Sequence, residues 1–512
     1  MPQDEEKEAS ITGWKDANLR RVCDEIPITI FLVAVAELAE RFTYRCITAP
    51  MQNYLQNPRG DDLRPGALGR GQSVATGVNY FFTGWCFLAP IIGAIVADTY
   101  LGRFRTICLG TCLEHGAGMP GLMVALVLIG LGSGGIKSNV APLIAEQYSG
   151  CSARIQTLDD GEKVVVDPNV TTQTIFNRYF WVINIGSLSV IPASLLELNV
   201  DFWAAFLLPL CFSALAVAAL VAGRSKYVVQ KPHGSIIVNA ARTLWISIKN
   251  NGHMDAAKPS NGANVPWDDI FVEELKRALV ACRVFLAFPI FWICYGQTNS
   301  NLVSQAGTMN TYGVPNDIMG CFNPIMILIL LPLMYGLERV VYPTLRRLRI
   351  QFKPITRITA GFIVMACAIA YAAVLQDVIY KSPPCYDHPL AEECSDGGQI
   401  SNNVNVFLQV PVYAMTALAE VWAFVAGMEY AYTKAPKSMR SIVSSLFLLM
   451  CALGSTMGIA LSPVSDNPKI LVQYACLSGT MVVTAFVVFV LFGKYNQSEE
   501  KMNMLEVERD DE

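Results

Sequence analysis

The chain has 512 residues, of which 53% are apolar and only 16% charged, and its mean hydropathy is +0.38. That balance excludes an ordinary soluble domain, and apolar runs of about 20 residues recur along it, the length a helix needs to cross a bilayer. The net charge of −4 decides little, because the placement of charges matters more than their sum.

The first long apolar stretch, Ile28 to Leu55, carries Glu37, Glu40, Arg41 and Arg45 in its middle. Ionised groups at that depth cost about 2.5 kcal/mol each or more, so they must pair, face water or titrate. On a helix Glu37, Arg41, Tyr44 and Thr48 follow at steps of three and four, with Arg45 one turn beyond Arg41, which predicts one polar face. A polar stripe on a spanning helix points to a solute or proton pathway. A charge pair that merely orients neighbouring helices is the weaker reading, since four charges exceed what packing needs.

In chain order, spans are predicted near 28–55, 74–97, 119–136, 176–196, 203–223, 284–302, 318–336, 356–375, 404–428, 441–463 and 470–493. They divide the chain into a tail (1–25), a first bundle (26–223), a linker (224–283), a second bundle (284–493) and a tail (494–512). Lys and Arg collect in alternate loops, and the segment 299–317 has none. By the positive-inside rule both termini and the linker are expected on the cytoplasmic side. Arg59, Arg64 and Arg70, in the first outer loop, fit that pattern less well. The insert RIQTLDDGEKVVVDP has strand-like runs flanking Asp160-Gly161, a hairpin-turn dipeptide. In the linker, GHMDAAKPSNGANVPWDD reads as a flexible loop, and FVEELKRALVACRVF as a short interfacial helix. Most of the 15 cysteines lie inside spans as small apolar residues; Cys385 and Cys394, in an outer loop, are placed either to pair or to stay free. No cleavable signal peptide is visible in residues 1–25. No nucleophile–base spacing, phosphate loop or metal cluster stands out, so an enzyme, a metal site and a nucleic-acid partner are not expected.

Two helical bundles joined by a long linker is the arrangement of major-facilitator transporters. GAIVADTYLGRFRTI (93–107) resembles their loop signature. AELAERFTYRCITAPMQNYLQ resembles the ExxER signature of the proton-coupled oligopeptide transporter family, particularly its fungal members. GLGSGGIKSNVAPLIAEQY (130–148) and YFWVINIGSL (179–188) are similar to that family's fourth- and fifth-helix motifs, and WICYGQTNSNLVSQAGTM, FKPITRITAGF and YAYTKAPKSMRS add matches in the second half. The resemblance runs from about residue 25 to 495. It implies an all-α, polytopic, major-facilitator fold of two six-helix halves. It also implies proton-coupled symport of di- and tripeptides by alternating access, as a monomer in the plasma membrane, with the proton as coupling ion and no other cofactor.

By the same resemblance, Arg41 and Lys137 would hold the peptide carboxylate and Glu420 its amino group. Asn184 and Asn323 would bond the peptide backbone, Trp292 would line a side-chain pocket beside Tyr44, and Glu37 and Glu40 would bind protons against Arg41 and Lys137. Each has a plainer use: Asn184 in helix packing, Trp292 as an interfacial anchor, Asn323-Pro324 as a helix break, and Tyr44 as a locally bonded packing residue. The family also contains carriers of nitrate-like and other small solutes, and a non-transporting peptide sensor is a reading of another class.

The chain departs from the pattern in two places. Arg45 stands where the family usually has a second tyrosine; an arginine further along is missing, and Tyr295 and Gly296 occupy the acidic positions of the seventh helix. The outer-gate salt bridge of other members cannot form. The histidine of animal members is also missing, with Asn79 and Tyr80 in its neighbourhood, so proton coupling must rest on carboxylates. The third span is too short: between Arg105 and Gly118 the only apolar run is TICLGTCL. About half a helix and its loop are expected to be missing there, through a mistaken exon boundary or a real gap that leaves the bundle unsealed.

Overall fold

The computed structural model describes residues 21–24, 26–60, 64–97, 99, 119–137, 139–140, 143–144, 147–148, 154–157, 163–222, 224, 227, 236–262, 264–330, 354–434, 436 and 439–492. The shortened third span at 100–118 lies outside these residues, as do 331–353 at the end of the predicted 318–336 span.

The first half is built from α1 (Ile28–Gln56), α2 (Gly71–Val96), α3 (Met119–Lys137), α4 (Pro168–Ser187), α5 (Val190–Asn199) and α6 (Phe202–Ala222). Residues 178–199, spanning α4 and α5, act as one apolar stretch of crossing length with a turn in it. The linker contributes α7 (Ile236–Lys249). After it come α8 (Asp269–Ala281), α9 (Phe288–Gly296) and α10 (Asn301–Gly307), joined end to end by 3₁₀ turns at Cys282–Ala287 and Gln297–Asn299. The second half continues through a 3₁₀ turn at Asn316–Cys321 and helical residues 322–330. It closes with α11 (Pro354–Lys381), α12 (Val410–Glu420), a π-helical turn at Val421–Val425, α13 (Ala426–Lys434), α14 (Arg440–Leu461) and α15 (Ile470–Phe492). Eight of these stretches are long and apolar enough to cross a membrane.

The bundles have separate cores. In the second, Phe285, Phe288, Phe362 and Phe447 meet edge to face, Phe291 stacks on Phe362, and Met481 and Tyr474 belong to the same buried cluster. In the first, one cluster gathers Val33, Ala36, Ile136, Ile175 and Leu220, and another Met51, Leu55, Phe82 and Leu126. Outward-facing side chains of α15, such as Val482, Phe486 and Phe489, are more than half exposed, as lipid-facing residues are.

α2 and α3 touch backbone to backbone: a Cβ at Gly134 would lie 2.4 Å from Ala89 C, and one at Gly93 would lie 2.6 Å from Gly134 O. Only glycine permits that approach, and it brings α3 close enough for Ser133 and Lys137 to reach α1.

Three local outcomes differ from the sequence expectation. The hairpin β2 (Arg154–Thr157) with β3 (Lys163–Val166) forms in antiparallel register, but β1 (Arg21–Val22), inside the expected tail, adds to it in parallel. The linker loop is compact: Lys258 bridges Asp255 and Glu273, Lys276 reaches the same two carboxylates at 2.7 and 3.0 Å, and Trp267 donates to Ala257 O. The expected interfacial helix does not stand apart from the next span. Asp268 caps it by accepting from Phe271 N at 2.9 Å, and the helical path runs on to Gly307. Cys385 and Cys394 are joined by a disulfide.

Candidate functional site

All the charges of α1 expected at the site are buried or half-buried. Glu37 and Glu40 are 1% and 2% exposed. Arg41 Nε lies 3.1 Å from Glu37 Oε1 and 3.4 Å from Glu40 Oε2. From α3, Lys137 Nζ comes to 3.2 Å from Glu40 Oε1, and Ser133, one turn earlier, donates to that same oxygen at 2.5 Å. The Lys137 ammonium also sits 4.6 Å over the Tyr44 ring and 5.6 Å from that of Phe87. Two carboxylates and two cations form one group, balanced in charge. Such a group tolerates burial only while the balance holds, because removing one partner leaves an uncompensated ion.

A second centre lies across the interface between the halves. Arg45 Nη1 donates to Asn299 Oδ1 at 2.9 Å, and the Arg45 charge faces Glu420. Tyr295 and Asn323 flank that carboxylate. Glu420 ends α12 immediately before the π-helical turn Val421–Val425, whose wider coil changes the direction in which neighbouring side chains project. Asn323-Pro324 does not break a helix; it sits in the first turn of residues 322–330, where a missing N–H costs nothing. Trp292 is no interfacial anchor either. It is 8% exposed and ringed by Phe87, Phe291, Tyr295, Phe424 and Phe447.

Three polar atoms of this centre, Glu420 Oε2, Asn323 Nδ2 and Trp292 Nε1, are buried without a hydrogen bond. Buried donors and acceptors are rarely left so, and unspent capacity of both kinds suits a ligand with an amine and an amide. Asn184 is the exception among the expected residues. Its amide donates to Phe180 O, one turn back on its own helix, and no described contact joins it to the others.

Sequence reasoning missed Ser133, Tyr179 and Asn299. Ser133 was accessible through its four-residue spacing from Lys137. Tyr179, which lies beside both Glu37 and Arg41, opens the fifth-helix motif YFWVINIGSL, but nothing in that motif says which side chain turns toward α1. Among the described residues no cluster of His, Cys, Asp and Glu could hold a metal ion.

A profile of the POT family matches residues 114–477. The peptide transporter PTR_B of Candidozyma auris is 42% identical over 530 residues, covering 100% of this chain and 90% of that protein. The chain belongs to the POT family. Another relative, peptide transporter PTR2 of Saccharomyces cerevisiae, is 39% identical over 531 residues, with 100% of this chain and 86% of the relative covered. Both alignments are longer than this chain's 512 residues, so each relative has positions without a counterpart in this chain. Among solved structures, the POT family transporter PepTSo superposes with a TM-score of 0.68 at 20% identity, over 93% of this chain and 99% of that one. A POT family transporter in complex with 5-aminolevulinic acid gives 0.65 at 16% identity, over 92% and 97%. The fold of this family member is that of the POT transporters: mostly helical, polytopic and integral to a membrane.

Proposed function

We propose that this protein carries di- and tripeptides together with protons by alternating access of a site between its two halves. The observation that carries the reading is the pair of charged centres: two cations at Glu37–Glu40–Arg41–Lys137 and a carboxylate at Glu420. A peptide is a zwitterion, and each of its ends needs an opposite charge. Membership of the POT family, and relatives named as peptide transporters, support it.

Charge balance supplies the coupling. When a peptide carboxylate reaches Arg41 and Lys137, the first centre holds three negative groups against two positive ones. A proton on Glu37 or Glu40 restores neutrality, so peptide and proton enter together. The peptide amine takes Glu420 in place of Arg45, Asn323 bonds the peptide backbone, and Trp292 and Tyr44 line the space for side chains. Asn184 joins them only if α4 turns during the cycle. The proton is the coupling ion, and no other cofactor is required. The protein works as a monomer surrounded by lipid, in the plasma membrane, with both termini and the linker in the cytoplasm.

The test is uptake of a labelled dipeptide into proteoliposomes with and without a pH gradient. The wild type accumulates peptide only with the gradient, and Glu37→Gln loses that dependence. Pronounced pH-driven accumulation in Glu37→Gln would remove Glu37 from the mechanism. Binding with no accumulation in the wild type would favour a sensor. A second reading, a carrier of another small solute such as an amino-acid derivative, has one observation in its favour: the POT transporter in complex with 5-aminolevulinic acid, itself an amine with a carboxylate. Competition of that compound against dipeptide separates the two.

A further inference from the structure

Away from both charged centres, two more carboxyl groups meet across the halves. Glu197 of α5 and Asp317 of the turn Asn316–Cys321 are 3% and 1% exposed, and their carboxyl groups lie beside each other. Asn53 of α1 donates to Glu197 Oε1 at 2.9 Å, and Ser194 of α5 donates to Asp317 Oδ2 at 2.5 Å. The remaining oxygens, Glu197 Oε2 and Asp317 Oδ1, are buried and make no hydrogen bond, the backbone N–H groups of Asp317 and Ile318 lie beside the Asp317 carboxyl, and neither carboxyl is ion-paired among the described residues. Of the groups facing the pair, Arg45 shares a small cavity with Asp317 but is bonded to Asn299. Tyr413 of α12 and Cys321 also face Asp317, and Arg64, in the loop after α1, lies against Gly307 and Gly398 beside Asn316.

Two ionised carboxylates cannot sit in contact in a buried place without a cation; one proton between them removes the repulsion and satisfies an orphaned oxygen. We propose that Glu197 and Asp317 are a second proton site, which holds one shared proton and latches the halves together on the face opposite the linker. The ligand is a hydron taken from the solution that this face admits. With the proton bound, the pair is a hydrogen-bonded bridge. When it is lost, two negative groups face each other across the seam, and separation lets water solvate both. Closure of this face therefore requires a proton. A small cavity beside the latch is lined by Asp317 and Arg45 together with Thr48 and Asn299.

The inference rests on the alternating access proposed above, but not on the identity of the solute, so its test is run without peptide. Spin labels carried by non-native amino acids go at Val200 and Tyr312, which are 53% and 65% exposed and flank the pair from opposite halves. In the wild type, a long-distance population grows as pH rises. Glu197→Gln and Asp317→Asn, which hold a hydrogen bond without a titrating proton, keep the short distance throughout. A wild type whose distances ignore pH, or variants that respond as the wild type does, overturns the proposal. Should neither carboxamide variant fold, Ser194→Ala carries the test. Losing the hydroxyl that stabilises ionised Asp317 displaces the midpoint of opening, and an unmoved midpoint overturns the latch. A failure of peptide uptake alone leaves these outcomes untouched.

Discussion

Glu40 is the residue on which the first centre converges, since Arg41, Lys137 and Ser133 all reach it. Breaking a buried pair by removing one partner costs about 3–5 kcal/mol, whereas replacing both can be nearly neutral. Glu40→Gln and Lys137→Met should each lower the thermal stability of the purified protein in detergent. The double variant should lose far less than the sum of the two. Additive losses would mean that the 3.2 Å contact carries no coupling. Glu420 supports a prediction about recognition. A charge-assisted hydrogen bond is worth roughly 1.5–3 kcal/mol, so the wild type should prefer a free dipeptide over its N-acetylated form by about tenfold or more. In Glu420→Gln that preference should fall toward unity in competition assays, even where overall affinity is weak.

At the scale of elements, the linker is held by charge rather than by a large core. Hydrogen bonds from Lys258 and Lys276 hold the Asp255 carboxyl down at about 2, and Asp255 in turn raises Lys258. A depressed carboxyl contributes stability above its unfolded value, near 4, and loses it as pH falls through the folded value. The raised lysine contributes below about 10.4 and fails only in strong alkali. The linker should therefore keep its compact form from about pH 4 up to alkaline conditions and loosen between about pH 4 and about pH 2. Pepsin cleavage within 250–268 measures this: it should rise over that acid range. In Asp255→Asn it should already be high near pH 4. The same segment shows where composition misleads. Gly, Pro, Asn and Ser in GHMDAAKPSNGANVPWDD signal a loop, and a loop it is, but Trp267 and the lysine bridges give it one conformation.

Across the whole molecule, hydrogen bonds between the halves concentrate at the end of α1 farthest from the linker. Gln52 donates to Ser304, Asn53 and Asn316 exchange two bonds, and Thr76 donates to Asn301. Tyr80, in the neighbourhood of the missing histidine, donates to Ile293 O and accepts from Gln297. A zipper of neutral groups thus joins the two halves on this face. Asn53→Ala removes both bonds to Asn316 and one to Glu197, so the Val200–Tyr312 distance should lengthen in part of the population at every pH. A distribution identical to the wild type would show that the zipper is not what holds this face.

The apolar spanning helices, the hairpin and the burial of Glu37 and Glu40 were legible in the sequence alone. They follow from local rules: apolar length, helical period, and the cost of an ion in hydrocarbon. Which residues meet was decided by tertiary structure. Gly93 and Gly134 set how closely α3 approaches α2, the π-helical turn follows directly on Glu420, and Glu197 and Asp317 meet although 120 residues part them. No periodicity within one helix encodes contacts between helices, since those depend on how whole faces pack.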